Sequence, residues 1–223
     1  IRGGLHAAAL LGLLLALASR DAAAAALTVN VPGNYTTITA AITAAKNDPT
    51  NSYTIVVEPG TYPGGIEIAS HPNSLTIQGR ETMRTEVTGG SSAQLISITG
   101  NTMGSITIRN LLFRGAATGV RIGNNISSIL IKNCIFAVDN TATGILAQTS
   151  PAAEITNNTF YQNGTAVSRD ADTIRVWNNL FYNNAANISQ GFVSQAVISN
   201  NLFYPDPVVG QIIGQNYQPD NTN

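Results

Sequence analysis

The chain has 223 residues, 43% of them hydrophobic and only 10% charged, with a formal net charge of −1. So weak a charge excludes a phosphate backbone or an anionic membrane as partner, since either would need a basic face. The two histidines, His6 and His71, and the single cysteine, Cys134, form no cluster, which argues against zinc, an internal disulfide and Cys-His nucleophilic catalysis.

In residues 1–26, Arg2 precedes an apolar run from Ala7 to Ala18, followed by Ser19-Arg20-Asp21 and five alanines ending at Ala26. The run is shorter than the roughly 20 residues that span a bilayer. It predicts a signal peptide cleaved after Ala24 or Ala26, and a secreted, extracellular or cell-surface mature chain over 27–223 with no transmembrane segment. Because the sequence starts at Ile1 and closes on a polar stretch at Asn223, a fragment is expected, lacking its first residues and further C-terminal coils.

Thr36 and Thr37, then Ile38 and Ile42 one turn apart among alanines, predict a short amphipathic helix over about 35–46 that plugs the end of whatever follows. Next, Thr54-Ile-Val-Val-Glu-Pro-Gly-Thr-Tyr62 reads as strand, corner and aromatic, and Ser74-Leu-Thr-Ile-Gln-Gly79 as the start of another coil. Arg80 to Arg84 is left for a loop.

From there one word returns five times, ending at Phe113, Phe136, Phe160, Phe181 and Phe203, in steps of 23, 24, 21 and 22 residues. Within each unit apolar residues alternate, as in Ile106 and Ile108 or Ile129 and Ile131, which gives strands with one face inward. An asparagine, Asn110, Asn133, Asn157, Asn178 or Asn200, stands three residues before each Phe. Asparagine tolerates the left-handed backbone of a tight corner, and its amide both donates and accepts. These five are therefore expected to form a ladder from coil to coil, with the Phe side chains as a second inward stack. A third short strand closes each coil, as in Gly119-Val-Arg-Ile122. Three strands in about 22 residues predict an all-β fold, a right-handed parallel β-helix solenoid with a short N-terminal capping α-helix and coils over about 53–204.

The segments "YTTITAAITAA", "TIVVEPGTY" and "SLTIQGRE", with the "NNxF" coils, resemble secreted right-handed parallel β-helix proteins of the pectin-lyase-like superfamily over about residues 28–204. That resemblance implies the fold but not one activity, because the superfamily includes lyases, hydrolases, esterases, epimerases, adhesins and filament or surface-layer components. The paired aspartates and Arg of pectin methylesterases, the Asn-Thr-Asp and His-Gly signatures of polygalacturonases and the Arg-x-Pro-x-x-Arg of pectate lyases are not evident here. No catalytic residue is carried over.

In the resembling enzymes the substrate groove lies on the third strand of each coil. Its outward residues are expected to be Glu67, Ser97, Arg121, Leu146, Val167 and Asn187, of which only Glu67 and Arg121 are ionisable. At about 10 Å apart these groove charges read as a solvated pair, not an acid-base couple. Asp170 and Asp172, with Asp139 in a related loop, are the calcium candidates, but calcium wants six or more oxygens. The reading is a polar turn, with no metal or cofactor expected. Tyr161, Tyr182 and Tyr204 each follow an inward Phe and should stack outward, with Trp177 facing out from the neighbouring strand. Stacking alone stabilises a sheet, and exposed aromatics also hold sugars, so these four are the carbohydrate-binding candidates. Cys134 is expected to be a packed thiol.

The function expected is therefore a secreted or cell-surface β-helix that binds a polysaccharide or cell-surface glycan, or serves as a structural or adhesive module. Two alternatives stand beside it: a polysaccharide lyase, hydrolase or epimerase acting on uronate-containing glycans, and a self-associating filament or surface-layer subunit.

Overall fold

The computed structural model describes residues 25–70, 73–89, 93–100, 102–148, 153–169, 174–190 and 197–205. The proposed signal peptide lies outside them except for its last two alanines. The described chain is a parallel β-solenoid of three sheets, each built from one strand per coil. The first sheet runs from Ala26–Val31 through Ser52–Val57, Leu75–Gly79, Thr102–Arg109, Ile126–Lys132, Ala153–Thr156 and Ile174–Trp177 to Val197–Ser199. The second holds the aromatic strands from Gly60–Pro63 to Leu202–Tyr204, and the third runs from Ile66–Ala69 to Ala186–Gln190.

The period-two pattern sets this register. Ile77, Ile108, Ile131, Ile155 and Val176 are in line and buried, so each coil covers the apolar edge of the last. Phe113, Phe136, Phe160, Phe181 and Phe203 stack with ring centroids 4.7–5.0 Å apart, as the repeat predicts. Tyr62 holds the same place in the first coil, in register with Val87 and then Phe113. Its hydroxyl donates to the Glu58 carbonyl at 2.9 Å.

The cap helix spans Ile38–Lys46, starting where the Thr37 hydroxyl accepts the Ala40 N–H at 3.1 Å. Ile38, Ala41, Ile42 and Ala45 are buried, so its apolar face closes the N-terminal end of the core. The strand Ala26–Val31, which the sequence reading passed over, adds one more row beside Ser52–Val57, paired from Ala26↔Ser52 to Val31↔Val57. Where the helix ends, Asp48 takes Asn51 Nδ2 at 2.8 Å, Thr50 O–H at 2.8 Å and Tyr53 O–H at 2.9 Å, bonds that hold its carboxyl down at about 2. In the expected loop, Arg80 clamps Glu58 through two 2.7 Å bonds.

The asparagine ladder needs a correction of one residue. Asn110, Asn133, Asn157, Asn178 and Asn200 do occupy the left-handed corner, with φ between 53° and 58°. Their side chains are not the rungs. The rungs are the residues that follow, Asn158, Asn179 and Asn201, because a left-handed corner turns the next side chain inward. Asn158 Nδ2 donates to Asn179 Oδ1 at 3.1 Å and to the Ile131 carbonyl at 3.0 Å, and Asn179 repeats the pattern onto Asn201 and Ile155. A second ladder, unforeseen, joins Asn163 to Asn184 at the next corner.

Cys134 occupies a rung of the first ladder: its N–H donates to Asn158 Oδ1 at 2.9 Å and its Sγ points toward the Ile108 carbonyl at 3.9 Å. Complete burial pushes the thiol up to about 12, which suits a packed and unreactive sulfur. An asparagine there could give both neighbours a full hydrogen bond in place of a weak thiol contact. Cys134→Asn is expected to raise stability by about 1 kcal/mol, read as a higher urea midpoint at unchanged m; a lower midpoint would show that the rung needs an apolar atom.

Candidate functional site

On the third sheet the outward column is Glu67, Ser97, Arg121, Leu146, Ser168 and Ser189. Val167 and Asn187, expected there, are buried instead, because Val167 continues the inward row of Val120 and Ile145 and Asn187, second in its strand, turns in to accept from Asn184 Nδ2 at 3.3 Å. Glu67 and Arg121 are in line with Ser97 between them, and each is engaged elsewhere. Thr99 Oγ1 donates to Glu67 Oε1 at 3.2 Å, while Arg121 donates to Gln148 Oε1 at 2.6 Å. They do not converge on one point.

Trp177 lies on the first sheet, in line with Lys132, Thr156 and Ser199. It is half-buried, and its Nε1 donates to Glu154 Oε1 at 2.9 Å. The structure therefore separates it from the tyrosines, which belong to the second sheet. Asp170 and Asp172 lie outside the described residues. Asp139 folds back on its own turn, where Oδ1 accepts the Thr141 N–H at 3.0 Å and hydroxyl at 2.9 Å, bonds that hold its carboxyl below the usual range. Among the described residues no group of three or more His, Cys, Asp or Glu could hold a metal ion.

Tyr161, Tyr182 and Tyr204 do form an outward stack, with centroids 5.6 and 5.1 Å apart and planes within 26° and 13°. That geometry alters what the stack can do. Each inner ring face is covered by the next tyrosine, so the column presents edges and hydroxyls outward, not a flat platform. On the N-terminal side of Tyr161 the next strand pairs as far as Phe136↔Phe160, and the residue after Phe136 is Ala137, in line with Arg114 and carrying only a methyl group.

A groove of about 790 Å³ opens at this point, lined by Arg114, Ala137, Asp139, Asn140, Tyr161 and Asn183 among others. Its depth has a backbone cause. At this corner Gly115, Gln162 and Asn183 each insert a left-handed residue, with φ of 63°, 52° and 58°, whereas Ala137 passes directly to Val138. Val138 N–H donates to Asn163 Oδ1 at 3.0 Å, as Asn163 N–H does to Asn184 Oδ1 at 2.9 Å, so Val138 already stands at the ladder place with one residue fewer. The corner of that coil is cut short, and the gap is the groove. Among the described residues the ion pairs are Arg80–Glu58 and Arg84–Glu81, so neither Arg114 nor Asp139 has a partner of opposite charge among them. Sequence reasoning missed Arg114 and this use of Asp139, since no periodic signal marks a shortened corner.

Residues 94–207 match the family model for the right-handed beta helix region, and the chain belongs to that family. Comparison with curated protein sequences returns no match. Among solved structures the chain is similar to Escherichia coli YbhC, at 13% identity over 80% of this chain and 85% of that one with a TM-score of 0.42. It is also similar to alginate lyase from Paenibacillus sp. strain FPU-7, at 14% identity over 81% and 96% with a TM-score of 0.34. Among the described residues no helix is long and apolar enough to cross a membrane.

Proposed function

We propose that this β-helix is an extracellular or cell-surface protein that binds a polysaccharide, through the groove beside Tyr161. The observation that carries the reading is the meeting there of a tyrosine ring, a guanidinium and a carboxylate in one concave site, the two charges having no ion-pair partner among the described residues. Sugars are held in this way, their C–H faces on an aromatic ring and their hydroxyls between a guanidinium that donates and a carboxylate that accepts. Binding is preferred to cleavage because the ionisable groups of the third sheet's outward column, Glu67 and Arg121, are each hydrogen-bonded away from the other. Export by cleavage after Ala24 would leave the first strand whole, because pairing begins with the Ala25 N–H on Asn51 Oδ1 and continues at Ala26↔Ser52.

The test is affinity electrophoresis against a panel of neutral and acidic polysaccharides, with product formation followed in parallel. Tyr161→Ala is expected to weaken retention about tenfold, the effect of losing about 1.4 kcal/mol, and Trp177→Ala to leave it unchanged. Retention on none of the polysaccharides, or an unaltered Tyr161→Ala variant, would remove the reading. Release of unsaturated or reducing ends would replace it with an enzyme.

A further inference from the structure

We infer that the groove takes one sugar ring into the tyrosine stack itself, in the place of the side chain that Ala137 lacks, and that this ring is an uncharged, hydroxyl-rich pyranose. The inference rests on the carbohydrate reading above and adds the mode of binding and the class of sugar. Arg114 pairs with Ala137 and Tyr161 with Tyr182, and between these two pairs Ala137 and Tyr161 each follow a paired phenylalanine, Phe136↔Phe160, and line the same groove. Strands in a sheet are about 4.8 Å apart, so Arg114 and Tyr161 stand roughly 9.6 Å apart along the solenoid. The tyrosines below them stack at 5.6 and 5.1 Å. The vacancy thus admits a single ring between the Tyr161 face and the Arg114 guanidinium, itself a flat group that stacks well.

The rim decides the chemistry of that ring. Asp139 has one oxygen committed to Thr141 and the other without a donor among the described residues, so it accepts from a hydroxyl at the ring edge. Asn140 and Asn183 line the same opening and can both donate and accept. An aromatic ring would fill the gap but offer Asp139 no donor. An anionic sugar would meet Asp139, and an ammonium would meet Arg114; these are the two charged groups lining the groove, and they offset each other. An uncharged ring with vicinal hydroxyls satisfies all the groups at once.

Ala137→Tyr tests this. It completes the stack with a fourth tyrosine, so thermal stability should hold or rise while binding of cello-, manno- or xylohexaose, measured by calorimetry, falls at least tenfold. Ala137→Leu is the second variant, plugging the gap without an aromatic edge and giving the same loss. Tyrosines that bound glycan along their outer edges would gain from Ala137→Tyr, so binding kept or improved, with Tyr161→Ala still harmful, would overturn insertion and spare the carbohydrate reading. Tyr161→Ala without effect would sink that reading itself. Trigalacturonate or indole binding as tightly as the neutral hexaoses would overturn the assignment of an uncharged pyranose.

Discussion

Asn179→Ala is expected to destabilise the fold by about 3 kcal/mol or more, whereas Asn178→Gly, one residue earlier, changes stability by less than about 0.5 kcal/mol. Asn179 is 2% exposed and is bonded on every side. The two hydrogens on its Nδ2 are shared among the Ile155 and Trp177 carbonyls and Asn201 Oδ1, all at 3.0 Å, while its Oδ1 accepts both the N–H and the Nδ2 of Asn158. Removing it leaves buried donors and acceptors with no water to turn to, each costing about 1–3 kcal/mol. Asn178 has φ of 56°, and what its position demands is that conformation, which glycine supplies freely. Urea unfolding of the pair, followed by circular dichroism, distinguishes rung from corner. Equal losses at 178 and 179 would return the ladder to the first asparagine of each pair.

The same pair shows where the sequence was legible. Five asparagines recur three residues before each Phe, and recurrence drew the eye to them; the next position varies as Leu111, Cys134, Asn158, Asn179 and Asn201. That variation was itself the signal. Leu111 and Cys134 are residues of the interior, so the position they share with three asparagines had to face inward, and only a ladder makes a buried asparagine tolerable. Strand alternation, by contrast, was legible in the repeat coils of the first sheet from Ile106 to Val176, because a slip of one residue would have put Arg109 and Lys132 into the core. On the third sheet the outward step was misplaced at Val167 and Asn187, where the corner before the strand is not marked by a recurring residue.

The groove belongs to what periodicity hides. The coil containing Ala137 is no shorter than its neighbours, since the step from Phe136 to Phe160 is 24 residues, the longest of the four. The residue missing at the Ala137 corner is more than restored in the loop from Asp139 onward, which also supplies the rim carboxylate. A repeat count registers neither change. The site arises where one coil departs from the pattern, so the fold can be read from the repeat and the binding residues only from its local failure.

Phe160→Ala is expected to cost about 4 kcal/mol, within the 3–5 kcal/mol typical of emptying an aromatic from a core. Phe160 is fully buried and stacked at 5.0 Å on Phe136 above and 5.0 Å on Phe181 below, so its removal opens a void that two coils share. Collapse into that void is blocked from the third sheet. Gly144 approaches so closely that a Cβ there would lie 3.2 Å from the Phe160 ring and 2.6 Å from the Ala166 carbonyl, and the backbone behind it is fixed by pairing on both sides. A solenoid is stable chiefly through contacts between neighbouring repeats, so weakening one central junction separates the coils before it from those after it. Phe160→Ala should therefore lower the urea midpoint and also reduce m, as the single transition broadens into two. Phe160→Leu, which refills most of the volume, should restore a single transition with a loss of about 1.5 kcal/mol. Loss of midpoint with m intact in the Ala variant would mean that the two halves of the stack remain one cooperative unit, held by the ladders rather than by the rings.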